Sequence, residues 1–109
     1  MEMKAVVTAL AALAHESRLS VFRLLVEAGH EGLPAGRISE CLGLPPSSLS
    51  FHLKELSHAG LIGSRQQGRF VIYAANFQAM TALLGFLTEN CCAGDPCGVD
   101  SPSTCKECT

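Results

Sequence analysis

Apolar stripes of helical spacing, broken once by a pair of alternating segments, predict a mainly α fold with a single β-hairpin. Three observations carry this reading. Leu49, Leu53 and Leu56 recur at i, i+4 and i+7, one apolar face of a helix. Residues 61–66 and 69–74 flank Gln67-Gly68, a pair that favours a tight hairpin with glycine at positive φ. Phe77, Met80, Leu83, Leu84 and Leu87 return to helical spacing, with Asn76 placed to cap them. The chain of 109 residues, 48% hydrophobic, makes one domain with one modest core.

The elements follow in order. Residues 3–14 form the first helix. Lys4 followed by the apolar run 5–14 imitates a signal-peptide core. Glu2 offsets that lysine, and the run is short and Ala-rich, as in a helix that packs closely on another. No segment is long enough to span a membrane. Ser17 is the expected N-cap of the second helix, with Leu19, Phe22 and Val26 (Leu25 beside them) as its buried stripe. Gly29 takes the C-cap position and His30-Glu31-Gly32 the loop. Pro34 fits the first turn of a third helix reaching Leu42, with Ile38 on its apolar side and Gly43 stopping it. Only three residues then precede Pro46, and Ala59-Gly60 closes the fourth helix. A short helix, a tight turn and a helix with a polar N-terminal face make a helix-turn-helix. After Asn90, Gly94, Pro96, Gly98, Pro102 and Ser103 predict loop.

The outer face of the fourth helix is expected to carry Ser47, Ser48, Ser50, Phe51, His52, Lys54 and Glu55. Serine, histidine and lysine donate well to phosphates and base edges, which makes this a candidate recognition helix. The competing reading is an ordinary amphipathic surface helix. The hairpin weighs against it, because Arg65 and Arg69 place two guanidinium groups at the tip of a wing that reaches phosphate or minor groove. The predicted fold is therefore a winged helix-turn-helix of five helices plus a two-stranded wing. Its last helix is apolar beyond what one core contact needs. With the first helix it offers a homodimer seam, and a dimer supplies two half-site contacts. The low charged fraction of 17% fits a surface covered by a partner. Net charge is −2; beyond position 90 Lys106 faces Asp95, Asp100 and Glu107, which leaves residues 1–90 neutral. Any DNA contact must come from a local basic patch.

Of six cysteines, five lie in the last 19 residues, and Cys41 stands alone. A disulfide framework would staple the whole fold. This distribution instead suits metal or redox chemistry in a reducing compartment, and so a cytoplasmic protein. Two regions result: a DNA-binding and dimerisation domain over residues 1–90, and a cysteine-rich tail over residues 91–109 that would carry this metal or redox chemistry.

The stretch Leu13-Ala14-His15-Glu16-Ser17-Arg18-Leu19, the segment 47–60 and the turn Gln67-Gly68-Arg69 together resemble the ArsR/SmtB family of winged-helix metal-sensing repressors, specifically its arsenic- and antimony-responsive branch. The likeness covers about residues 5–90. It implies a homodimer that sits on double-stranded operator DNA and leaves when an inducer binds. Two sensor sites known in the family are missing. Leu33-Pro34-Ala35-Gly36-Arg37-Ile38-Ser39-Glu40-Cys41 lacks the run of cysteines found before the recognition helix in the arsenic branch. Residues 77–89 hold no Asp or His, only Glu89, so the last-helix zinc site is absent as well. Phe51 stands where many relatives have arginine.

Sensing is thus expected of the tail. Asn90-Cys91-Cys92 with Cys97 resembles the C-terminal cysteine triad of some arsenic-branch members. Soft thiolates select thiophilic ions, and three thiols suit As(III) or Sb(III), whose lone pair leaves a trigonal pyramid. Cys105 and Cys108 are possible accessory ligands and keep two rivals open: a four-cysteine zinc or cadmium site, and a redox-active pair. No organic cofactor, membrane partner or enzyme activity is expected. A redox Cys-x-x-Cys normally opens a helix in a βαβ setting, whereas this one has only Thr109 after it.

Overall fold

The computed structural model describes residues 1–91. The loop character expected after Asn90 and the ligand roles expected of Cys92, Cys97, Cys105 and Cys108 lie outside the described residues. In chain order the elements are α1 (Met3–Leu13), α2 (Glu16–Ala28), a 3₁₀ turn (Gly29–Glu31), β1 (Leu33–Pro34), α3 (Ala35–Leu42), α4 (Pro46–His58), β2 (Ile62–Gln67), β3 (Phe70–Ala75) and α5 (Phe77–Leu87). This is the expected five-helix winged architecture, with a third strand added. The antiparallel sheet runs β1-β3-β2, and Pro34 pairs with Ile72. Pro34 is consequently not in the first turn of α3. It holds extended backbone at φ −73° and ψ 155° as the residue before the helix, a place an edge strand tolerates because proline has no N–H to leave unpaired. Two residues are too few for an alternation to be read from sequence.

The core gathers Val6 and Ala9 of α1, Val21, Phe22 and Leu25 of α2, Ile38 of α3 and the Leu49, Leu53, Leu56 stripe of α4. Leu61, Ile62, Ala75 and Leu83 close it from the wing and α5. Two expectations for α2 are corrected. Its N-cap is His15, whose Nδ1 accepts from the Ser17 N–H at 3.2 Å, so Ser17 is already inside the helix. Its buried face is Val21, Phe22 and Leu25, whereas Leu19 is 43% exposed. Leu19, Val21, Phe22, Leu24, Leu25 and Val26 spread apolar residues round most of the helix, and periodicity alone does not choose between two adjoining stripes. Leu19 and Val26 instead border an apolar cleft with Met80 and Leu84.

The helix-turn-helix angle is set locally. Gly43 ends α3 in the left-handed region at φ 65°, where a Cβ would be costly. The Ser39 hydroxyl donates to the Leu44 carbonyl, and the Leu44 N–H donates to the Ser39 carbonyl at 3.2 Å. One serine thus closes the turn from both sides. At the far end of α4, Asn76 accepts from the Ala79 N–H at 3.1 Å and caps α5. Its amide also donates to the Gly60 carbonyl at 3.1 Å, joining the start of α5 to the end of α4.

The wing turn is Gly68-Arg69, one residue later than expected, with Gln67 opposite Phe70. Gly68 has φ 62° and Arg69 is not in the positive region, the pattern of a II′ hairpin. Gly32 fits a different constraint. At φ +69°, a Cβ placed on it would lie 2.2 Å from the Tyr73 carbonyl oxygen, so the approach of β1 to β3 needs a glycine there. On α5 only Leu83 is buried. Leu84 and Leu87 are exposed, as are Met3, Val7 and Leu10 of α1. Among the described residues no single helix is long and apolar enough to cross a membrane.

Candidate nucleic-acid interface

Burial of Leu49, Leu53 and Leu56 fixes the rotation of α4 and therefore what it shows to the outside. At about 100° per residue, Ser47, Ser50, Phe51, Lys54 and His58 share one outward stripe, and all five are exposed. Ser48 is exposed on the flank of that stripe. Pro45 supplies no side-chain cap and Pro46 occupies the first helical turn. The N–H groups of Ser47 and Ser48 therefore point from an open helix N-terminus, the positive end of the helix dipole. Such an end receives anions such as phosphate readily.

His52 does not belong to this face, a correction to the sequence reading. It is only 9% exposed. It follows Leu49 by three residues and precedes Leu56 by four, which is the buried stripe by helical spacing; that spacing was the signal available in the sequence. Its ring lies 4.9 Å from the His15 ring and 5.9 Å, edge-on, from Phe51. Its Nδ1 is buried and has no hydrogen-bond partner among the described residues. Burial, then the neighbouring His15, then Arg18 hold its pKa below the ordinary 6.5. It is a neutral core group at pH 7.

The wing is corrected too. Arg65 sits within β2 opposite Ile72, away from the turn. Its guanidinium donates to the Glu31 carbonyl at 2.7 Å and to the His30 carbonyl at 3.3 Å, clamping the strand to the 3₁₀ turn. Arg69 alone remains at the tip, exposed, where the Gln66 amide braces the turn by donating to the Gly68 carbonyl at 3.2 Å. The outward stripe of α4 thus offers serine hydroxyls, the Phe51 ring, Lys54 and His58, and the wing offers Arg69. Phe51 lies on this face as expected from sequence, whereas His58 was missed, although it continues the spacing of Ser47, Ser50, Phe51 and Lys54.

Of the expected thiols, Cys41 is exposed on α3 and Cys91 is half-buried. Cys91 lies just beyond α5, its N–H donating to the Thr88 carbonyl at 3.0 Å. Among the described residues no three His, Cys, Asp or Glu converge for a metal ion.

This geometry has clear counterparts. A helix-turn-helix domain family matches residues 13–65. The chain is 34% identical over 89 residues to the transcriptional activator HlyU of Vibrio cholerae serotype O1 (strain ATCC 39315 / El Tor Inaba N16961), covering 82% of this chain and 79% of that one. It is 38% identical over 58 residues to the uncharacterized HTH-type transcriptional regulator YceK of Bacillus subtilis (strain 168). That match covers 53% of this chain and only 57% of YceK. The solved structure of HlyU from Vibrio cholerae N16961 superposes with a TM-score of 0.63, covering 80% of this chain and 97% of HlyU at 34% identity. The homodimeric winged helix-turn-helix domain of Mb0332 from Mycobacterium bovis, described as a possible ArsR-family regulator, superposes at 0.64 with 23% identity, over 81% and 82% of the two chains. At that identity it speaks for the fold alone. Together with these relatives, the fold defines a winged helix-turn-helix regulator of transcription. More closely, the chain belongs to the ArsR/HlyU type of winged-helix transcriptional regulators.

Proposed function

We propose that this chain is a dimeric repressor that binds operator DNA and is released by As(III) or Sb(III). The exposed stripe of α4 carries the DNA part of the reading. In it Ser47, Ser48 and Ser50 position on phosphate or base edges, Lys54 adds salt-dependent affinity, and Arg69 serves the wing. Arg65 supports that wing from behind through the carbonyls of His30 and Glu31. The apolar residues left exposed on α1 and α5 support a homodimer through these helices. Residues 1–90 would form the DNA-binding and dimerisation domain and residues 91–109 the metalloid-binding tail.

The inducer part rests on donor chemistry. Cys91, Cys92 and Cys97 would hold the metalloid, and thiolates favour soft ions. Three thiols that lose their protons to a trivalent ion add almost no net charge. Release therefore acts through geometry rather than repulsion, and Cys91 lies directly beyond the helix offered as the dimer seam. HlyU is an activator, so the sign of regulation is itself part of the proposal.

A titration of an operator complex with As(III), Sb(III), Zn(II) and Cd(II) tests it. As(III) and Sb(III) should release DNA from the natural chain and fail to do so with Cys91→Ser, Cys92→Ser or Cys97→Ser. The Cys105→Ser/Cys108→Ser double variant should keep the response. Retained arsenic response without Cys97 would sink the triad. A zinc or cadmium response that needs Cys105 and Cys108 would replace it with the four-cysteine reading, and release by thiol oxidants alone with the redox reading.

A further inference from the structure

Phe51 is 55% exposed in the middle of the outward stripe of α4, and the core stripe of that helix does not need it. Its neighbours on the stripe, Ser47, Ser50 and Lys54, are all polar, so the apolar patch is one ring wide. A lone ring is not the contiguous apolar patch that marks a protein-binding surface. The ring is not adrift, because its edge meets His52 at 5.9 Å and His52 in turn meets His15 at 4.9 Å. This row of rings runs from the N-cap of α2 to the outer face of α4. On the base edges of the major groove the apolar feature is the 5-methyl group of thymine, and phenylalanine is among the side chains suited to it.

We infer that Phe51 reads the 5-methyl group of one thymine in each half-site, giving this regulator a base preference that its serines and lysine do not supply. The inference rests on the DNA-binding reading above. Each subunit then buries one methyl group against one ring, and the flanking serines and Lys54 fix the register on phosphate.

The test uses the full chain and duplexes selected from a random-core library. In the tightest duplex each symmetric pair of thymines is replaced, one pair at a time, by deoxyuridine, which lacks only the methyl group. For one pair, the natural protein should lose about fourfold in affinity per half-site, the factor one buried methyl is worth. Phe51→Ala should bind the thymine duplex at least as weakly as the natural chain binds the uridine duplex, and should not distinguish the two. Equal affinity of the natural chain for thymine and uridine at every pair overturns the inference, as does a Phe51→Ala variant that still discriminates at the sensitive pair. The deoxyuridine arm needs no variant and is immune to any folding defect. Selection that enriches no duplex overturns the DNA-binding reading itself, an outcome distinct from selection without methyl sensitivity.

Discussion

His52 ties the stability of this fold to pH. Burial, His15 and Arg18 depress its pKa below 6.5 in the folded chain, so the unfolded chain binds the proton more readily. The stability held by the neutral imidazole is fully present above pH 6.5 and is lost as pH falls through 6.5 toward the folded pKa. Urea midpoints at pH 7.5 and 5.5 should therefore show a fall in the natural chain. His52→Gln should show a smaller one, at some cost in packing at both pH values. The two wing arginines separate by a different measurement. Arg65→Ala removes two charge-assisted bonds to backbone carbonyls and should cost about 1–2 kcal/mol of stability. Arg69→Ala should leave stability unchanged within about 0.5 kcal/mol and weaken DNA binding, with a shallower salt dependence.

At the scale of elements, Gly32 has the sharpest requirement. Gly32→Ala combines a positive φ with a Cβ driven into the Tyr73 carbonyl and should cost roughly 3 kcal/mol or more, read as a lowered thermal midpoint. Much of this level was legible in the sequence. The Leu49, Leu53 and Leu56 face, the Gly43 stop, the Asn76 cap and the hairpin all rest on local rules of spacing and capping. What escaped depended on tertiary contact. β1 exists because β3 offers it a partner, and Arg65 leaves the tip because two carbonyls of the 3₁₀ turn await it. The face of α2 was ambiguous because its apolar residues fill adjoining stripes. His52 differs for another reason: its residue type suits an outer face, but its position between Leu49 and Leu56 puts it on the buried stripe.

For the whole molecule, the proposed homodimer would rest on the exposed leucines of α5 and the exposed apolar residues of α1. Leu84→Glu with Leu87→Glu should yield a folded monomer, since neither side chain belongs to the core. Sedimentation should show the halved mass, far-ultraviolet circular dichroism an unchanged helix content, and operator affinity a loss of tenfold or more, because the second half-site contact goes. Natural chain that sediments as a monomer at micromolar concentration would remove the seam. The apolar cleft shared by Leu13, Leu19, Val26, Met80 and Leu84 adjoins this surface, which explains how α2 leaves Leu19 outside the core at little cost.

The clamp of Arg65 on the 3₁₀ turn, with the pairing of β1 on β3, also bears on thermodynamics. A hairpin held at its tip alone would have to be immobilised by whatever it meets, and that ordering would subtract from affinity. Here the hairpin is stitched to the loop before α3 from two sides, so its disorder is surrendered when the chain folds. Association should then carry little of the unfavourable entropy that accompanies a flexible arm, and the heat of binding should report contacts rather than folding.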